Sequence, residues 1–162
     1  MFDACLKLLE LDYFELGEAF KGLKDENVWK RPAPGLLSVG ELAGHIAYWE
    51  SIRLAGEGED LSKCKIVSPL IDPAFRYFSG TISSQPQQRN MTAEQVHSEL
   101  LRVHQESVAH FKSLSVEPTT PVPGLDGWTY GAQLEYLVFH IAYHTGQIYT
   151  ARHLLGEQTP DN

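Results

Sequence analysis

The sequence contains very little cysteine and no long apolar run. Its two cysteines, Cys5 and Cys64, lie far apart and do not form a disulfide framework, a thiolate metal knuckle or a redox pair. In the first 24 residues, charged side chains interrupt every apolar pair, which argues against a signal-peptide core or a membrane span. We therefore expect a cytoplasmic protein with reduced thiols and no membrane partner.

Basic charge is also scarce. Lys and Arg number 13 against 21 Asp and Glu, and the formal net charge is -8. The basic residues are scattered rather than striped, so no surface that could follow nucleic-acid phosphates is visible, and we expect no nucleic-acid partner. The hydrophobic fraction of 43% and the charged fraction of 21% are ordinary for a globular protein and exclude an acidic disordered chain.

The chain also lacks internal repeats, alternating runs typical of strands and a glycine-rich phosphate loop. Its 162 residues suit a single domain, residues 1–162. At this length, folding can bury roughly 70% of the surface of the unfolded chain, so neither a disulfide nor a structural zinc ion is needed for folding.

The sequence does contain the patterns that predict helices. Apolar residues at loosely helical spacing predict a first helix ending near residues 22–25: Phe2, Cys5, Leu9, Phe14, Leu16, Phe20 and Leu23. Ser38 with Glu41, and Thr92 with Gln95, have the spacing of capping boxes and predict the starts of the second and third helices. Thr129 can cap a fourth helix that runs to Gly156.

Two proline- and glycine-rich stretches separate these helices, residues 56–90 and 115–128. The first is unusually long for a connection and can cross from one end of a bundle to the other, with short helical pieces such as 73–78. The predicted fold is all-α, a four-helix bundle with a long crossover from helix 2 to helix 3.

Histidines occupy core positions in two of the predicted helices. His45 lies in the middle of the apolar stripe of the second helix, and His140 and His144 form an i, i+4 pair on one face of the fourth. Such a pair alone is a weak signal, because a core histidine is often satisfied by a hydrogen bond. Three buried imidazoles without a shared partner would leave several polar nitrogens unsatisfied, and one metal ion would satisfy them together.

Three neutral histidines with an open coordination position are typical of a catalytic metal site. Zinc is the first expectation, with nickel and iron as alternatives, because imidazole suits several divalent transition metals. The site differs from the zinc-protease motif, since Ile141 follows His140 where that chemistry needs a glutamate.

Other polar residues near these histidines are candidates for supporting roles. Glu41, Tyr48, Tyr143 and Gln147 lie close to the ligands in sequence, although Glu41 is better explained as a helix cap. His97, His110 and His153 lie among polar neighbours and are expected at the surface, whereas His104 borders the apolar stripe of the third helix.

Two sequence blocks resemble the DinB-like superfamily, the damage-inducible and YfiT-like metal-binding bundles that also include thiol-dependent transferases. The first block runs from Trp29-Lys-Arg-Pro to His45, and the second from His140-Ile-Ala-Tyr-His144-Thr-Gly-Gln147 to Gly156. The resemblance implies metal ligands at His45, His140 and His144 and a homodimer. Many relatives have Arg directly after the last ligand, where this chain has Thr145.

The resemblance also implies a class of chemistry. Relatives with assigned activity join a low-molecular-weight thiol to an electrophile, and others resemble hydrolases. The leading hypothesis is a metal-dependent transferase in which the ion lowers the pKa of a bound thiol from a small-molecule cosubstrate. The alternatives are a metal-dependent hydrolase and a non-enzymatic, stress-related metal-binding module.

Overall fold

The computed structural model describes residues 2–76 and 86–160. Within these ranges the regular structure consists of helices, and no strand is formed. The α-helices are α1 (Phe2–Phe20), α2 (Asp25–Val28), α3 (Val39–Ala55), α4 (Pro86–Arg89), α5 (Ala93–Ser113) and α6 (Tyr130–Leu154). The all-α prediction is confirmed.

The starts of the long helices follow the capping signals in the sequence. Ser38 Oγ accepts a hydrogen bond from Glu41 N, and the Glu41 carboxylate accepts one from Ser38 N, so α3 begins with a complete capping box. Thr92 and Gln95 form the same reciprocal pair at the start of α5. These local hydrogen bonds satisfy amides that have no partner inside the helix, and for this reason the helix starts were predictable.

Helix α1 differs from its prediction in two details. It ends at Phe20 because Gly22, with φ of 72°, turns the chain into the left-handed region. Phe14, which we expected in the buried stripe, is 63% exposed, and Tyr13 is buried in its place at 5% exposure. The buried residues of α1 keep a spacing of three and four residues: Leu9, Tyr13, Leu16 and Phe20. A buried residue at position 14 would break this spacing.

Helix α3 is the central helix of the packing arrangement. It contacts both α5 and α6, while α1 contacts α6 and α5. Nearly every side chain of α3 is buried, including those on the face opposite His45. A helix that is buried on all sides can position polar groups away from water, and the candidate metal ligand and Glu50 both lie on it.

Part of the connection after α3 packs back onto that helix. A 3-10 turn at Leu61–Lys63 is followed by a second at Pro73–Phe75, which contacts α3. The predicted helical piece at 73–78 is thus a single turn as far as the described residues reach, and positions 77 and 78 lie outside them. Phe75 is fully buried against α3.

Buried polar side chains tie the chain end to α1 and α2. Arg152, only 1% exposed, donates from Nη1 to the carbonyl oxygens of Ala19 and Lys21, which lie at the end of α1. Its Nε donates to Glu157 Oε2 at 2.9 Å, and Asn27 Nδ2 donates to the other carboxylate oxygen at 2.6 Å. The network satisfies carbonyl groups at the end of α1 and fixes α6 beside it.

A second buried polar cluster joins α1, α3 and α5. Glu50, with no exposed surface, accepts hydrogen bonds from the Tyr13 hydroxyl and from His104 Nδ1, the latter at 2.7 Å. The Tyr13 and His104 rings stack with centroids 3.7 Å apart. Burial, and then the charge of Glu50, raise the pKa of the neighbouring Asp12 to about 6. The cluster links three of the four long helices through a single carboxylate.

Glu50→Ala is expected to destabilise the fold strongly. The substitution removes the shared acceptor and leaves the Tyr13 hydroxyl and His104 without their buried partner, at a cost of about 1–3 kcal/mol for each unsatisfied donor. Urea unfolding would measure this change in the free energy of unfolding. Glu10→Ala, at an exposed position of α1, is the control and is expected to stay within about 0.5 kcal/mol of the wild type. Equal stabilities of the two variants would contradict this role of Glu50.

Candidate metal centre

The three histidines identified in the sequence meet at one point between α3 and α6. His140 Nε2 lies 3.1 Å from His45 Nε2 and 3.1 Å from His144 Nε2. One ligand-type atom from each ring falls within 4.8 Å of the other two. The side chains are buried, at 7%, 5% and 5% exposure for His45, His140 and His144. The structure therefore brings together the residues that the sequence predicted as one group.

The directions of α3 and α6 explain how residues 95 positions apart meet. Gln133, near the start of α6, donates to the Arg53 carbonyl near the end of α3. At the opposite end, Leu42 of α3 and Ala151 of α6 line the same cavity of about 330 Å³. The helices thus run in opposite directions, which places the middle of α3 beside the middle of α6.

Hydrogen bonds on the far side of two rings determine which nitrogen carries the proton. His45 Nδ1 donates to the Phe75 carbonyl at 2.7 Å, and His144 Nδ1 donates to Gln147 Oε1 at 2.6 Å. Because Nδ1 carries the proton in both rings, their Nε2 lone pairs face the common centre. Histidines that bind a metal usually donate the N–H of their other ring nitrogen to a protein acceptor in this way.

Gly44 allows Phe75 to take its place beside His45. A Cβ atom at position 44 would lie 2.5 Å from the Phe75 ring, well inside contact distance. Any side chain larger than hydrogen would push the ring away, and with it the carbonyl that accepts from His45. Gly44 is thus a positioning residue of the site.

The electrostatic environment keeps the three imidazoles neutral. Burial lowers the pKa of His45 to about 4, although the hydrogen bond to Phe75 partly offsets the effect. Burial and the neighbouring His144, His45 and Arg53 lower the pKa of His140 to about 3, and burial also lowers the pKa of His144. At neutral pH these rings offer lone pairs rather than positive charge.

These observations test whether the group fits a metal ion. Two imidazole nitrogens bound to one tetrahedral zinc ion lie about 3.3 Å apart, close to the distances found here. Without a shared cation, lone pairs on His45 and His144 would both approach His140 Nε2, whose single N–H could serve only one of them. A metal ion would accept a lone pair from each of the three nitrogens. The donor set therefore fits one divalent transition metal, and its three neutral imidazoles suit several such metals.

His140 is held differently from the other two histidines. Within the described ranges its Nδ1 is buried without a hydrogen-bond partner, and its ring stacks on Tyr136 with centroids 5.7 Å apart. The edge of Trp49 packs against His45, and Tyr143 packs against His144. The site thus has an aromatic shell, of which Tyr136 and Phe75 were missed by the sequence analysis because no local pattern connects them to the histidines.

The residues predicted to support the ligands have different roles in the structure. Gln147 contacts His144 directly, and its Nε2 donates to the Tyr143 hydroxyl at 3.1 Å. Glu41 caps α3 and pairs with Arg31, so its carboxylate is already engaged. Tyr48 is buried in a small apolar cluster with Ile52 and Phe75.

The remaining histidines do not join the site. His153 is exposed as predicted, but His97 is half-buried and stacks on Phe20 with ring centroids 5.2 Å apart. His104 belongs to the Glu50 cluster. Among the residues that the structure describes, His45, His140 and His144 form the group with metal-ligand spacing.

Comparisons with known proteins add one positive finding. A family model described as DinB superfamily matches residues 9–148, a span that includes all three histidines. We found no significant match to the chain among curated proteins or among solved structures. None of the helices in the described ranges combines the length and apolar character needed to cross a membrane. Because the family model covers most of the sequence, the chain belongs to the DinB superfamily.

Proposed function

We propose that the protein binds one divalent transition metal ion through His45, His140 and His144 and acts as a metal-dependent transferase that joins a low-molecular-weight thiol to an electrophile. The observation that carries the proposal is the convergence of three buried, neutral Nε2 atoms on one point. Zinc and nickel are the proposed metals, with iron as an alternative.

The composition of the donor set supports catalysis over a purely structural ion. Structural zinc sites are usually closed by four protein ligands, most often including thiolates. Within the described residues this group comprises three imidazoles, and neither cysteine belongs to it. One coordination position would remain for water or substrate. When bound, the ion supplies Lewis acidity that lowers the pKa of a thiol or water ligand.

The residues of this chain would prepare the site for that chemistry. Phe75 and Gln147 hold the proton of His45 and His144 on Nδ1, so both Nε2 atoms remain available as ligands. Neutral ligands leave the full charge of a divalent ion available to a bound thiolate. Burial and the aromatic shell reduce the access of water, which strengthens electrostatic interactions within the site.

The thiol is proposed to come from a cosubstrate, because neither cysteine is suited to supply it. Cys5 is buried in α1, and burial, followed by Glu135, raises the pKa of its thiol. Cys64 is half-buried and donates to the Ile66 carbonyl. Cys5 thus lacks the lowered thiol pKa of a reactive cysteine, and the Cys64 thiol is engaged by a backbone carbonyl.

His144→Ala is expected to abolish tight metal binding while the protein stays folded. Elemental analysis should find about one equivalent of metal in the wild type and almost none in the variant, since one of three ligands is lost. His153→Ala, on the exposed side of the same helix, is the control and should keep its metal. Circular dichroism should show cooperative unfolding of both variants. A His144→Ala protein with a full equivalent of metal would contradict the assignment.

Turnover is expected to require both the metal and a small thiol. With zinc-loaded protein, cysteine as thiol and 1-chloro-2,4-dinitrobenzene as electrophile, we expect at least about a tenfold rate increase over His144→Ala, because only about 3% of a thiol of pKa 8.5 is ionised at pH 7. Product formation is followed by absorbance. Ester hydrolysis without thiol would instead favour a hydrolase, and metal binding without any turnover would favour a binding module.

We further propose that the four long helices form one domain, a four-helix bundle with a crossover between α3 and α5, and that the cytoplasmic protein is a homodimer. Exposed apolar side chains support self-association: Leu8 and Leu11 on α1 are 47% and 55% exposed, and Phe139 on α6 is 64% exposed. These helices pack against each other. Adjacent exposed apolar groups are typical of an interaction surface.

Leu11→Asp is expected to convert a dimer into a monomer. The substitution places a charge in the proposed interface, where burying it without a partner is unfavourable. Size-exclusion chromatography with light scattering measures the mass directly. Val67→Asp, at a position 89% exposed outside this surface, is the control and should remain dimeric. A monomeric wild type would contradict the proposal.

A further inference from the structure

Arg53 lies on the same side of α3 as the metal centre. His45, Trp49 and Arg53 follow one another at intervals of four residues, so they occupy neighbouring positions along one helix face. The Arg53 Cζ atom lies 5.3 Å from the centre of the Trp49 ring and 5.4 Å from that of Trp128. The guanidinium is therefore held between two indole rings, of which Trp49 contacts the ring of His45 and Trp128 contacts the ring of Tyr136.

The buried guanidinium has donors without acceptors. The Arg53 side chain is 9% exposed, and its Nη2 donates to Glu59 Oε1 at 3.0 Å. Its Nε and Nη1 are buried and have no hydrogen-bond partner among the residues that the structure describes. Unsatisfied buried donors are rare and costly, and more so when the group is charged. This arrangement calls for an acceptor that comes from outside the chain.

The charges around Arg53 do not balance. Glu59 is shared, since its other oxygen accepts from Arg76 Nη2 at 2.7 Å. Two guanidinium groups thus share this carboxylate, whose single negative charge does not neutralise both. The histidines cannot offset the remaining positive charge, because an imidazole is either neutral or positively charged. A divalent ion would add to this surplus, so the region favours an anion although the whole chain is acidic.

We propose that Arg53 recognises the carboxylate of a small organic acid whose reactive group lies at the metal centre. This inference rests on the proposed function and names its substrate class. One carboxylate supplies the missing acceptor, because its two oxygens can accept parallel hydrogen bonds from one guanidinium. Trp49 and Trp128 form the apolar walls, and both are only half-buried, so the guanidinium is covered by side chains that themselves reach the surface.

The test compares an acid with its uncharged counterpart. 3-Mercaptopropionate and 3-mercaptopropionamide are titrated calorimetrically into zinc-loaded and metal-free protein, with the metal content of every sample measured. In the zinc-loaded wild type, the acid is expected to bind at least about tenfold more tightly than the amide, as charge-assisted hydrogen bonds in a buried site require. Arg53→Met should lose this preference while it keeps its metal. Arg102→Met removes the same charge from the surface of α5 and should retain the preference.

Arg53→Lys protects the test against misfolding, because it keeps the charge and the pairing with Glu59. It should retain part of the preference, since one ammonium replaces the planar guanidinium. An equal affinity for acid and amide in the wild type, or a preference unchanged in Arg53→Met, would overturn the inference. If the wild type holds no zinc, the proposed function fails, and the metal-free titrations still decide whether Arg53 selects the acid.

Discussion

The burial of three imidazole rings at one point is the constraint on which the rest of the site depends. Each ring brings two polar nitrogens out of water, and each nitrogen needs a partner. The Phe75 carbonyl and the Gln147 amide serve two outward nitrogens, and the inward nitrogen of His140 lies 3.1 Å from that of His45 and 3.1 Å from that of His144. A shared cation is the partner that satisfies all three inward nitrogens at once.

The rest of the fold keeps the two ligand-bearing helices in place. Helix α3 is buried almost entirely between α5 and α6, so His45 has little freedom to turn away from its partners. The Glu50 cluster attaches α3 to α1 and α5, and the Arg152 network attaches α6 to the end of α1. Buried polar networks of this kind favour one arrangement of helices over others, because a shifted helix would leave their groups unsatisfied. The site therefore has a rigid support, which binding geometry requires.

The sequence predicted those features that depend on neighbouring residues. The capping boxes at Ser38 and Thr92 were visible because a cap and its partner are three residues apart, and the histidines were visible because they interrupt apolar stripes. The roles of Phe75 and Arg53 could not be predicted, since they arise from packing between distant segments. The prediction that Phe14 is buried was wrong, because the apolar spacing in α1 is compatible with burial of either residue 13 or residue 14. The packing of α1 in the folded protein buries Tyr13 instead. Whether three core histidines share a point depends on the relative positions of α3 and α6, which no local pattern contains.

X-ray absorption spectroscopy at the edge of the bound metal is the most direct measurement of the central claim. For protein purified without a metal-affinity tag, we expect one zinc or nickel ion with three imidazole nitrogens, at about 2.0–2.1 Å for zinc, and a further light-atom ligand. The three rings should give the multiple-scattering pattern of histidine. A first shell that contains sulfur from the protein, or fewer than three imidazoles, would contradict the assignment of His45, His140 and His144.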